Sequence, residues 1–285
     1  MLASLKEVLA FAERHHCAIG AFNTPTLETL DAVLEEATAL QVPVIIAHAE
    51  VHEPEAPLKE IGPIMVFRAK MASIPVCVHL DHGTDFAYLR EAIALGFTSV
   101  MYDGSLLPYE ENAKNTKEVV TYAHAHGVDV EGEIGALPAR EGASTAASDP
   151  TALYTDPALA KRFVDDTGID ALACSFGTAH GIYKATPKLD FPRIEKIHEQ
   201  TNLPLVMHGG SGVSPEDYLK AIDRGIRKIN YYSYMAREGV FAAEKCLNEE
   251  HPTFYHTIAA RAKKAMALDA RKAMVHFSNG YCKEE

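Results

Sequence analysis

The 285-residue sequence predicts an α/β fold, a (β/α)8 TIM barrel with an additional C-terminal helical tail. Three observations lead to that reading. Short, β-rich apolar runs alternate with stretches of helical period. The runs number eight, the barrel number. The alternation also uses almost the whole chain, so residues 1–285 read as one barrel domain. An open, doubly wound sheet is the alternative, but at this length such a sheet usually has fewer strands.

Taken in order, the chain opens with MLASLKEVLAFAERHH, an amphipathic helix that carries acidic residues. The strand candidates follow as CAIGAFN (17–23), VPVIIAHA (42–49), VCVHLDHG (76–83), TSVMYDG (98–104), VDVEGEIG (128–135), DALACSFG (170–177), LPLVMHGG (203–210) and IRKINYYS (226–233). Each is followed by a helix candidate, at 26–40, 58–72, 84–95, 109–127, 156–168, 191–201, 214–225 and 234–247. Several of these open on Thr, Asp or Ser and close near Gly, the expected cap chemistry. Two stretches exceed a minimal barrel. ALPAREGASTAASDPTALYTDP (136–157) is a long loop of small residues leaving the fifth strand, as functional lids do. The tail at 251–280 is helical and can cap the barrel or pack on a partner.

Composition excludes several classes. With 39 acidic against 27 basic residues the formal charge is −12, so the electrostatic footprint of a nucleic-acid binder is missing. No stretch approaches the roughly 20 apolar residues that span a bilayer. The start does not read as a signal or transit peptide, so a cytoplasmic protein without membrane or nucleic-acid partners is expected. Five widely spaced cysteines, mostly in apolar runs, read as buried thiols rather than a disulfide framework or a cysteine metal cluster.

In a barrel the reactive groups sit at the C-terminal ends of the strands. Here those ends are polar: Asp81-His82-Gly83, Asp103-Gly104-Ser105, Glu131 and Glu133, His180-Gly181, and His208-Gly209-Gly210-Ser211-Gly212. His82, His180 and His208 lie about a hundred residues apart, and only the barrel brings them together. Three imidazoles at one mouth match the three-ligand, open-position arrangement of catalytic zinc. With 14 histidines in the chain, some would reach strand ends by chance, but three at Gly-flanked ends argue for a site. Asp81 reads either as a general base beside the metal or as a support for a ligand histidine. Its neighbour His82 should point to the opposite side of a regular strand, unless the strand end twists. Glu131 and Glu133 share one face and can support the metal, bind a second cation or pair with lysines. The segments 209–212 and 230–233 follow the seventh and eighth strands, where barrels commonly hold a phosphate.

These residues resemble the class II, metal-dependent ketose-bisphosphate aldolases, which include fructose- and tagatose-bisphosphate aldolases. The carriers span nearly the whole chain: Ala21-Phe22-Asn23, Val78 to Gly83, Met101 to Ser105, Val130 to Gly135, Gly177 to Tyr183 with Pro187 to Phe191, Leu205 to Gly212, and Lys228-Ile229-Asn230. The resemblance implies that His82, His180 and His208 hold a divalent ion, usually Zn2+, with Asp81 as the acid/base. It implies phosphate positions at Gly181, Gly209, Ser211, Asn230 and Ser233, with a monovalent cation (Na+ or K+) often beside them. Asp103 and Glu133 match places where some members show a second or alternative metal position. A homodimer or homotetramer is also implied.

The implied activity is reversible aldol cleavage of a ketose 1,6-bisphosphate to dihydroxyacetone phosphate and glyceraldehyde 3-phosphate through a metal-stabilised enediolate. The proton donor to the aldehyde oxygen is either Asp81 or a group on the loop after the fifth strand. The sequence departs from the family pattern where Tyr231 and Tyr232 replace small or acidic residues and Ser233 replaces a threonine. The second strand ends Ala47-His48-Ala49-Glu50, without the serine that helps bind phosphate in some members, and puts His48, Glu50 and His52 near the cleft. Asn23, Tyr231 and Tyr232 are therefore specificity candidates. The alternatives are an aldolase for another phosphorylated or sulfonated ketose, such as a ketose 1-phosphate or sulfofructose 1-phosphate, a metal-dependent hydrolase, and a non-catalytic phosphosugar-binding protein.

Overall fold

A computed structural model describes residues 1–135 and 154–282. The predicted lid at 136–157 therefore lies mostly outside the described residues. Eight parallel strands close into a barrel: β2 (Ile19–Asn23), β3 (Val44–Ala49), β4 (Val76–Gly83), β5 (Ser99–Tyr102), β6 (Asp129–Ile134), β7 (Ala171–Cys174), β8 (Leu205–Met207) and β9 (Ile226–Tyr231). Pairing runs between successive strands, and β2 with β9 closes the ring. The helices between them are α2 (Leu27–Leu40), α3 (Leu58–Met71), α4 (Phe86–Leu95), α5 (Tyr109–Ala125), α6 (Pro157–Thr167), α7 (Phe191–Thr201), α8 (Pro215–Ile222) and α9 (Ser233–Lys245). Every strand candidate is present, mostly shortened where its polar end leaves the sheet and turns into the mouth.

One strand lies beyond the eight that the sequence predicts: β1 (Leu2–Ala3), which pairs with the start of β4. Two residues carry too little periodicity to register as a strand. It leads into α1 (Leu5–His15), whose start is a capping box: Glu7 N–H donates to Ser4 Oγ at 3.2 Å, and Ser4 N–H to Glu7 Oε2 at 2.7 Å. Leu5, Val8, Leu9 and Ala12 form its buried stripe. They pack with Ile19, Ala21, Ile45, Cys77, Ala171, Ala173 and Val206, so α1 floors the barrel.

The C-terminal tail becomes α10 (Tyr255–Phe277). It packs against α9 and α2, burying Ala270, Ala273, Met274 and Phe277 in the outer layer. Lys263 pairs with Glu35 at 2.7 Å and Arg271 with Glu36 at 3.2 Å. Of the two roles open to the tail, the described contacts are those of an intramolecular wall. Among the described residues no helix is long and apolar enough to cross a membrane.

The floor supplies a stability test. Leu5 is fully buried, so Leu5→Ala is expected to cost about 2–5 kcal/mol in denaturant titration. Leu27→Ala, at a half-exposed position, should cost less than about 0.5 kcal/mol. Equal effects would show that α1 does not hold the floor.

Candidate active site

The C-terminal ends of the strands open into a cavity of about 380 Å³. Asp81, His82, His180, Gly181, Gly209, Ser211, Asn230, Ser233 and Asn23 all line it. Asp81 and His82 face it together because β4 is irregular at this point. The register with β5 shifts between Leu80 and Gly83, and His82 has a left-handed φ of 52°. A regular strand would have sent His82 into the helical layer; the bulge turns it inward beside Asp81.

The three histidines converge. Their ring nitrogens lie within 4.8 Å of one another. His82 Nδ1 is 2.7 Å from Asp103 Oδ2, which leaves Nε2 for the centre. His208 Nε2 is 2.7 Å from Glu131 Oε1, which leaves Nδ1. Those two inner nitrogens face each other at 3.0 Å. Both ring nitrogens of His180 are buried and lack a hydrogen-bond partner among the described residues. Buried, unpartnered imidazole nitrogens are costly unless something binds them. A carboxylate behind a ligand histidine is the usual way its ring is oriented toward a metal. The donor set therefore fits a divalent cation held by His82 Nε2, His208 Nδ1 and His180.

Electrostatics separate the three rings: burial would lower His82, but Asp81, Asp103 and Glu133 outweigh it and raise it to about 9, whereas the other two are lowered. Burial, with His82 and His208 adding to it, pushes His180 down to about 3, the neutral form that ligates a metal. Burial also lowers His208, against the opposing pull of Glu131. Burial alone would raise the Asp81 carboxyl, but His82, His208 and Lys228 outweigh it and hold the group well below the usual carboxylate range. Asp81 is thus an anion in the resting site. Its two oxygens are held separately: Asn23 Nδ2 donates to Oδ2 at 3.1 Å and Asn230 Nδ2 to Oδ1 at 3.2 Å.

Beneath the site, Lys228 Nζ lies 2.8 Å from Glu131 Oε2 and donates to Asn230 Oδ1 at 2.7 Å. Both charged side chains are fully buried. The ammonium fixes which way the Asn230 amide points, so that its NH₂ meets Asp81. Sequence reasoning missed Lys228 as a functional residue. Its signal was a lysine two residues before Asn230, on the same inward face of a buried strand.

A family model described as fructose-bisphosphate aldolase, class II, matches residues 3–280. The chain belongs to this family. Membership makes it an aldolase, a carbon–carbon lyase of a generally metal-dependent kind. The aldolase is similar to the YdjI aldolase from Escherichia coli K12, at 31% identity and a TM-score of 0.87, covering 99% of this chain and 100% of that one. It is also similar to a putative fructose-1,6-bisphosphate aldolase from Coccidioides immitis, at 29% identity and a TM-score of 0.85 over 97% of both chains. A fructose-bisphosphate aldolase from Campylobacter jejuni shares the fold, at 21% identity and a TM-score of 0.80, covering 97% of this chain and 95% of that one.

The remaining candidates find distinct places in the aldolase. Asp103 supports His82, and is itself held by Ser105, whose Oγ donates to Asp103 Oδ1 at 2.6 Å. Glu133 Oε2 lies 3.9 Å from Nδ1 of both His82 and His208. With His82 and Asp103 it forms a second cluster of metal-ligating type. Gly209 has a φ of 62°, and a Cβ there would come within 2.2 Å of the Ala179 carbonyl oxygen, so only glycine fits. Tyr183 locks these two loops together: its hydroxyl donates to Gly209 O at 2.8 Å and accepts from Ala179 N–H at 2.9 Å. The Ser211 hydroxyl accepts from Tyr232 N–H at 2.9 Å, joining the loops after β8 and β9.

One expectation needs correction. His48 is not at the cleft: it is buried, with Nε2 2.9 Å from the Tyr88 hydroxyl, because it falls on the outward face of β3. From that segment Ala49, Glu50, Val51 and His52 line the cavity. Both tyrosines of the pair line the cavity, with different partners. Tyr231 borders the cavity, but its hydroxyl donates to Asp269 of α10 at 2.9 Å and its ring packs on Phe22 and Phe277. Tyr232 instead meets the His52 ring edge to face at 5.1 Å.

If Asp103 orients His82 for a metal, Asp103→Asn should weaken metal affinity roughly 10–100-fold with the fold intact. Competition against a chromophoric chelator measures this. Unchanged affinity would remove Asp103 from the metal's support.

Proposed function

We propose that the aldolase catalyses the reversible aldol cleavage of a ketose phosphorylated at C1, releasing dihydroxyacetone phosphate and an aldehyde. The observation that carries this reading is the convergence of three imidazoles on one centre with Asp81 beside them, inside a cavity whose other wall is the Gly209–Ser211 loop. His82, His180 and His208 would hold the divalent ion, and three imidazole ligands suit zinc. When bound, such an ion polarises the ketose carbonyl and stabilises the negative charge left on the donor fragment.

The chain's own groups divide the remaining work. Gly181, Gly209 and Ser211 offer a phosphate close backbone approach and a hydroxyl, and Ser233 adds the N-terminus of α9. A monovalent cation beside that phosphate belongs to the same reading. The Asn230 side chain is engaged with Asp81 and Lys228, so it serves the acid/base group rather than the phosphate. In the cleavage direction Asp81, ionised and fixed by Asn23 and Asn230, accepts the proton of the hydroxyl on the aldehyde-forming carbon. In the synthetic direction it returns that proton to the aldehyde oxygen. The reading covers a 1,6-bisphosphate, which gives glyceraldehyde 3-phosphate, and a ketose 1-phosphate, which gives an uncharged aldehyde.

Metal-dependent exchange of the proton next to the carbonyl of dihydroxyacetone phosphate tests the donor half without choosing an aldehyde. Exchange in D₂O that is lost on chelation and restored by zinc is expected; exchange indifferent to chelation would sink the metal assignment. Asp81→Ala is expected to keep its metal while turnover falls about 10²–10⁴-fold. His208→Ala should lose both metal and turnover. Full zinc occupancy in His208→Ala, or near-normal turnover in Asp81→Ala, would overturn the corresponding role.

A further inference from the structure

The cavity has two dissimilar walls. Gly209 to Gly212 follow β8, and β4 stands diametrically across the closed ring from β8. The wall on the β3–β4 side is made by Glu50, Val51, His52 and Thr84, joined by Tyr232. Thr84 ties its two parts together: its N–H and hydroxyl both donate to Glu50 Oε2, at 2.6 and 3.1 Å. The Glu50 carboxylate is thereby held as part of the wall rather than left on a swinging side chain. The His52 and Tyr232 rings, meeting edge to face, give the same wall an aromatic surface. Among the described residues that line the cavity there is no lysine or arginine.

A substrate whose phosphate occupies the glycine loops, and whose reacting carbons lie at the three histidines, extends its aldehyde end toward this second wall. A phosphate or sulfonate arriving there would meet a fixed carboxylate of the same sign, the repulsive device by which binding sites reject a wrong partner. Hydroxyl groups would instead find an acceptor in Glu50 and ring surfaces for their C–H faces.

We infer that Glu50 is a specificity-determining residue that excludes an anionic group at the aldehyde end, so that the second substrate is an uncharged polyhydroxy aldehyde and the ketose is a 1-phosphate. This inference rests on the proposed aldol chemistry and deepens it. It departs from the bisphosphate that the sequence resemblance implies, for a reason particular to this chain's β3 loop.

The test pairs two aldehydes that differ only in the phosphate. Zinc-loaded enzyme is given dihydroxyacetone phosphate with glyceraldehyde or with glyceraldehyde 3-phosphate, and kcat/KM is measured for each in wild type and in Glu50→Gln. The substituted amide keeps an oxygen to accept from Thr84 while removing the charge, so the wall is preserved. Wild type should favour glyceraldehyde, and E50Q should shift the ratio toward glyceraldehyde 3-phosphate by roughly tenfold or more, as relief of a like-charge contact predicts. A wild-type preference for glyceraldehyde 3-phosphate, or a ratio that E50Q leaves unmoved, would overturn the inference. Proton exchange on dihydroxyacetone phosphate, run on the same preparations, separates the two levels. Exchange with the wrong aldehyde preference refutes the Glu50 assignment alone, whereas absence of both exchange and condensation refutes the aldol reading and this inference with it.

Discussion

A carboxylate and an imidazole that are neighbours in sequence face the same side of a strand only where its two-residue alternation is broken, and β4 breaks it at His82. A left-handed φ on a non-glycine residue is a strained choice, of the kind that persists where the surroundings over-determine it. Here they do: Asp103 holds the ring from one side and His208 faces it from the other. Without the bulge, Asp81 would reach the cavity alone and the three-imidazole centre would lose a member. Asp81 and His82 are side by side because of one irregular residue.

The layer below makes the site rigid. Glu131 is shared by His208, Lys228 and, at 3.7 Å, His79, all without exposure to solvent. A buried ion pair is a poor source of net stability, since desolvation of both charges opposes their attraction. Its worth is directional. Glu131 selects the nitrogen that His208 presents, while Lys228 selects the orientation of the Asn230 amide and, through it, one oxygen of Asp81. One buried carboxylate and one buried ammonium thus align His208 and Asp81 together.

The two walls of the cavity are governed by different physics. On the glycine side, backbones approach to distances that a Cβ would forbid, and the donors available are amides and a hydroxyl. On the β3–β4 side, a side-chain carboxylate and two aromatic rings set charge and shape. The first wall suits an anion and the second does not, so the cavity is polarised along the direction in which a ketose phosphate would lie.

Much of this was legible in the chain itself. Eight apolar runs with period-two inward residues, capped helices between them and glycine-flanked histidines at the strand ends are local patterns, and they determined the barrel, the convergence of His82, His180 and His208, and the family. What could not be read locally depended on contacts between distant segments. The bulge at His82 is a register property of β4 against β5. The turning of Tyr231 toward Asp269 required the position of α10, and the loss of His48 to Tyr88 required knowing which face of β3 looks outward. The sequence by itself determined which reactive groups are present and that a barrel gathers them. Only the tertiary structure decided which atom of each group faces the cavity, because orientation is set by partners from distant segments of the chain.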